Sequence, residues 1–129
     1  MALKIEVEER GKDRVVVRLV GRLDAEGADG CGKELAPLSQ GGAKQLVLDL
    51  GGLEYISSLG LRVLLSAKKA MAGRHGQLVL ANPQPPVKKV LDLAEILPAT
   101  DIFQSIESAD IFLDAIQHKE QIKDMDVDV

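Results

Sequence analysis

Apolar and polar positions along the chain change period several times, and each change marks a predicted element. "KIEVEE" sets Ile5 and Val7 against charged neighbours with period two, the mark of a half-exposed strand. A turn at Gly11 to Asp13 leads to "RVVVRLVG", a more buried strand, so the chain opens with a predicted antiparallel hairpin. In "GRLDAEGADGCGKELAPL" the period becomes helical: Asp24 suits an N-cap, and Ala28, Cys31, Leu35 and Leu38 follow on one face. Gly27, Gly30 and Gly32 weaken that helix, each by roughly 1 kcal/mol relative to alanine. "QLVLDL" predicts a central strand, "GGLEYI" a short loop, and a helix begins near Ser57 or Ser58.

The cycle then repeats. "GQLVLAN" reads as a strand and "PQPPVKKVLDLAEIL" as a helix with Val87, Val90, Leu91 and Ala94 on one face. "IFQSI" reads as a short strand, and "SADIFLDAIQ" as a last helix with Ile111, Phe112, Ala115 and Ile116 apolar. Residues 1–118 form one predicted domain, and the charged tail 119–129, "KEQIKDMDVDV", is expected to be flexible. Strand–helix alternation after a hairpin implies an α/β fold: a mixed, mainly parallel β-sheet with packed α-helices.

Composition narrows the function. Of 129 residues 46% are hydrophobic and 2% aromatic, so the core is built from Leu, Ile, Val and Ala, with Tyr55, Phe103 and Phe112 the only Tyr, Phe or Trp residues. A net charge of −4 and this scarcity of aromatics argue against nucleic acid as a partner. Cys31 is the single cysteine and has no intrachain disulfide partner, which fits the cytoplasm. No stretch has the form of a signal peptide or a membrane span, so a soluble protein with no membrane partner is expected.

His75 and His118 lie apart in sequence, and no zinc-type cluster, phosphate loop, dinucleotide fingerprint or nucleophile elbow occurs. Asp24 and Asp49 sit at predicted strand ends and could pair as acid and base, but carboxylates there more commonly cap helices or anchor loops. A non-enzymatic protein without cofactor or metal is expected.

The stretch "EYISSLGLRVLL" raises the remaining question, because it places two hydroxyls at the mouth of an apolar helix. One serine suffices to cap a helix, a contribution of about 1 kcal/mol. The other then lies in the first turn, near free backbone N–H groups and the positive end of the helix dipole, where a phosphate is well held. From Leu59 onward, helical phase puts Leu61, Leu64, Leu65 and Ala72 on a core face with Met71 at its edge. Leu59, Val63, Ser66 and Ala70 fall on the far side as a small apolar ridge flanked by Arg62 and Lys69. Either another helix of the domain covers this ridge, or a partner docks there.

At these residues the chain resembles the STAS domain family, specifically its single-domain anti-sigma factor antagonists. "VRLVGRLDA", "LVLDLGGLEYISSLGLRVLL" and "GQLVLANPQPPVKKVLDLAEI" carry the resemblance, in that order, and it spans about Lys4 to Gln117. It implies that Ser58, two residues before the Gly60-Leu61 pair, is the phosphorylation site, with Ser57 as the secondary candidate. Many members carry Asp immediately before the acceptor and a second Ser after it; here Ser57 and Leu59 take those places. It also implies that Asp24 lies beside the acceptor; together with the reading of the ridge as a docking surface, the expected partner contacts are Asp24, Ser57, Ser58, Leu59, Arg62, Val63 and Ser66.

The function so implied is partner switching. The unmodified protein would bind an anti-sigma factor that is a serine kinase with an ATP-binding domain, and phosphorylation would release it. A PP2C-type serine phosphatase would reset the cycle. The alternative is a STAS-fold scaffold or small-ligand-binding module without a phosphorylation cycle, and a nucleotide-handling enzyme is a third reading that lacks a phosphate loop.

Overall fold

The computed structural model describes residues 3–11, 13–94 and 102–126, with side chains as far as Gln117. The elements in order are β1 (Lys4–Arg10), β2 (Arg14–Leu23), α1 (Ala25–Gln40), β3 (Gln45–Ile56), α2 (Ser58–Gly73), β4 (Gln77–Ala81), α3 (Pro85–Ala94), β5 (Ile102–Phe103) and α4 (Ile106–Asp126). The strands form one sheet in the order β1-β2-β3-β4-β5, with β1 antiparallel to β2 and the other pairs parallel. The expected mixed, mainly parallel sheet opening on a hairpin is therefore found.

Three successive right-handed crossovers moving in one direction along a sheet put their helices on the same face. Accordingly α1, α2 and α3 bury Cys31, Leu35, Leu64, Met71, Val87 and Leu91 in one core with Leu19, Leu48 and Leu80 of the strands. The opposite face carries Val16, Val47 and Val79, which meet Ala109 and Leu113 of α4. Strands covered on both faces explain the continuous apolar runs "VVV" and "LVL". Arg14, with 12% of its side chain exposed, ties α4 to the hairpin through Asp110 (3.0 Å) and Asp114 (2.8 Å).

Four sequence expectations are corrected. "GGLEYI" is not a loop: β3 continues through it to Ile56, with Val20 to Leu23 of β2 paired to Gly52 to Ile56 across a bulge. The extra residue is Glu54 of β3, and next to it on β2 Gly21 has a φ of 107° that side-chain-bearing residues rarely adopt. The α2 core face is also rotated from the expected one. Gly60, Leu64, Ala67 and Met71 are buried, Leu61 and Leu65 are half-buried, and Ala72 is exposed. The helix rests on the line through Gly60 because the missing side chain lets it approach the sheet, and a hydropathy pattern gives glycine no such weight.

Along α4, Ala109 and Leu113 are buried whereas Ile111 is 71% exposed and Ala115 is exposed. Ala109 is small enough to let the helix approach the valines of the sheet. Finally, β5 shrinks to two residues, and the last helix starts earlier, at Ile106, and runs to Asp126 instead of ending near Gln117. Glu95 to Leu97 of the expected third helix lie outside the described residues.

Burial raises the Cys31 thiol from its ordinary value to about 11. At neutral pH its thiol should resist iodoacetamide in the folded protein and react on unfolding in urea. Rapid native-state labelling, read by intact mass, would contradict this placement.

Candidate functional site

Strands β2 and β3 end side by side, and each feeds a helix on the same face. The Ser57 N–H donates to the Leu23 carbonyl at 2.8 Å, so Asp24 and Ser57 follow directly from hydrogen-bonded neighbours. Each then caps its own helix from an extended backbone. The Gly27 N–H donates to Asp24 Oδ1 at 2.8 Å, and the Gly60 N–H donates to Ser57 Oγ at 3.1 Å. Two helix N-termini thus open next to one another at one edge of the domain. Strand ends on one edge of a parallel sheet make such shared sites, and Asp24 is one residue past Leu23, the acceptor of the Ser57 N–H.

The capping question now has an answer. Ser57 is the cap, and its hydroxyl is engaged. Ser58 is the first residue of α2, exposed, and its hydroxyl has no hydrogen-bond partner among the described residues. It stands in the first turn, where backbone N–H groups lack intrahelical acceptors and the dipole is positive. Ser57→Ala should lose about 1 kcal/mol of stability in a urea melt through the lost cap.

Gly60 holds this corner closed. A Cβ on it would stand 2.6 Å from Leu23 Cγ and 3.0 Å from the Leu23 carbonyl oxygen, so the close approach is to the neighbouring strand. Beyond Gly60, Leu59 is 44% exposed, Val63 is half-buried, and Ser66 and Arg62 are exposed. The ridge is covered only in part. Helix α1 lies alongside and packs on it, yet leaves a groove of about 460 Å³ between the two helices.

Two features were missed from sequence. Ala25, Ala28, Gly32 and Ala36 of α1 form the other side of that groove, and their spacing of three and four is its signal. The Arg22 guanidinium also stacks 4.3 Å from the centre of the Tyr55 ring, just before the serine turn. Asp24 and Asp49 are not a pair. Asp49 accepts from the Gly51 N–H at 3.0 Å and faces Arg18 at 3.5 Å. It is level with Arg18 on β2, six residues or roughly 20 Å of strand from Asp24.

Comparison with known proteins places the chain in a family. The model of the STAS domain family matches residues 4–109. The chain belongs to the STAS domain family. This STAS domain is 36% identical over 95 residues to BtrV of Bordetella bronchiseptica, named as an anti-sigma factor antagonist, covering 74% of this chain and 82% of that one. It is 27% identical over 106 residues to the anti-sigma F factor antagonist of Paenibacillus polymyxa, covering 81% and 90%.

Among solved structures, unphosphorylated SpoIIAA, an anti-sigma factor antagonist, superposes with a TM-score of 0.73 at 22% identity, over 87% of this chain and 97% of that one. The phosphorylated form of Bacillus SpoIIAA gives 0.69 at 20%, over 85% and 99%. These likenesses establish the fold. Among the described residues no helix is long and apolar enough to cross a membrane, and no group of three or more His, Cys, Asp or Glu could hold a metal.

Proposed function

We propose that this STAS domain is an anti-sigma factor antagonist that acts by partner switching, with Ser58 as the phosphorylation site. The observation that carries the reading is the division of labour at the α2 N-terminus: Ser57 caps, and Ser58 is exposed and uncommitted. The names of its relatives support the role. The partner is an anti-sigma factor with serine kinase activity and an ATP-binding domain, and a PP2C-type phosphatase resets the cycle. The place of action is the cytoplasm, and the antagonist itself needs no cofactor.

Asp24, Ser57, Ser58, Leu59, Arg62, Val63 and Ser66 form the contact surface, with Ser57 acting through the shape of the turn. The physics suits a switch. A neutral hydroxyl is covered at low cost beside Leu59 and Val63, whereas a phosphate brings about −1.5 to −2 charges that must be desolvated. On the free protein the same phosphate is tolerated, since it lies at a helix N-terminus.

Phosphopeptide mapping after incubation with kinases of this class and ATP tests the site. Wild type and Ser57→Ala should both carry phosphate on Ser58, and Ser58→Ala should carry none. Phosphate on Ser57, or on neither serine with the cognate kinase present, would overturn the assignment.

A further inference from the structure

The groove between α1 and α2 continues from the serine turn for about three helical turns, from Leu59 to Ala70, or roughly 16 Å. Its floor is shallow-sided because Gly32 faces Val63 across it, and a Cβ on Gly32 would stop 3.7 Å from Val63 Cγ2. The walls combine the exposed Leu59 with small residues such as Ala36 and Ala70. Both helices satisfy their own backbones here, so the groove offers no ladder to an extended peptide, which would forfeit its main-chain hydrogen bonds. A helix arrives with those bonds already made.

Charge identifies the occupant further. Arg62 and Lys69 are seven residues apart and therefore form one line along the α2 rim. Both are exposed, and neither makes an ion pair among the described residues. On the α1 side, Asp29 is already paired with Lys33 at 3.2 Å.

We infer that this groove receives an amphipathic helix of the partner whose flank along α2 is acidic. The inference rests on the reading of Ser58 as the switch and extends the docking surface down the groove, well past the phosphorylation site. It also gives the switch its sign. Ser58 stands at the end of the groove, next to Leu59, so its phosphate would repel an acidic flank and cancel the attraction of Arg62.

The test uses the full chain, isotopically labelled, and two synthetic amphipathic peptides of roughly 18 residues, long enough to form helix. They share one leucine–alanine stripe; one is flanked by glutamates and the other by lysines. The glutamate peptide should shift the amide resonances of Gly32, Ala36, Val63 and Ala70, and the lysine peptide should bind at least about tenfold more weakly. Combining Arg62→Glu with Lys69→Glu should reverse that order. Gly32→Leu should fill the floor and abolish binding of the glutamate peptide, with an unchanged circular dichroism spectrum confirming the fold.

Equal affinity for the two peptides, or no shifts in the groove, would overturn the inference. Groove amides that shift on raising the concentration of the chain alone would assign the surface to a second copy, and would overturn it as well. The outcome is separable from the site assignment: phosphate on Ser58 with a silent groove defeats only the docking mode. An occupied groove with Ser58 never modified defeats only the switch.

Discussion

Gly60→Ala should destabilise the domain by roughly 1–2 kcal/mol even though alanine is the better helix former. The new methyl group would meet Leu23 Cγ at 2.6 Å and the Leu23 carbonyl oxygen at 3.0 Å. The second of these is backbone and cannot rotate away. Overpacking of this kind costs typically about 1–3 kcal/mol, and the gain in helix propensity, about 1 kcal/mol, offsets only part of it. Gly30→Ala in α1 is the control. Its added Cβ meets nothing within 4 Å, so propensity acts alone and stability should rise by up to about 1 kcal/mol. Urea melts of the two variants should therefore move in opposite directions. A Gly60→Ala protein as stable as the parent would mean that α2 does not seat on Leu23.

Arg14→Met should cost about 2 kcal/mol and loosen α4 first. The guanidinium donates to Asp110, Asp114 and the Gln45 side chain, and Gln45 in turn donates to the Leu113 carbonyl at 3.1 Å. Asp114 is 69% exposed, so its bond contributes little; the loss falls on the half-buried Asp110 and on Gln45. Hydrogen exchange should quicken along α4 while α1 and α2 keep their protection. Phosphorylation of Ser58 should be unaffected, because α4 lies across the sheet from the site. Uniform exchange throughout the molecule would show instead that α4 is not separable from the main core.

Most of this arrangement was legible in the chain because period and turn chemistry agree. "KIEVEE" and "VVV" differ in pattern because one strand is half-exposed and the other covered on both faces. Asp24 was readable as a cap because its chemistry is local. What escaped notice depends on partners distant in sequence. The second half of β3 opens with Gly51 and Gly52 and exposes Glu54 and Tyr55, so nothing local marks it as strand; its pairing to β2 across the bulge at Glu54 does.

That same pairing fixes which serine caps. Once β3 reaches Ile56, Ser57 is the half-in residue and Ser58 the first of the helix, whereas the sequence showed only that one of the two would cap. The groove is the remaining case. The ridge on α2 was visible from phase, but the matching wall comes from Ala and Gly residues of α1, whose meaning depends on two helices lying alongside.

The affinity of the purified partner kinase for unmodified and Ser58-phosphorylated protein, measured by calorimetry with a non-hydrolysable ATP analogue present, decides whether Ser58 is a switch. Phosphorylation should weaken the complex at least about tenfold, equivalent to about 1.4 kcal/mol. Ser58→Ala should bind like the unmodified protein, and Ser58→Asp should fall between the two, since a carboxylate carries one charge where phosphate carries nearly two. Equal affinity of the phosphorylated and unmodified forms would contradict the switch outright.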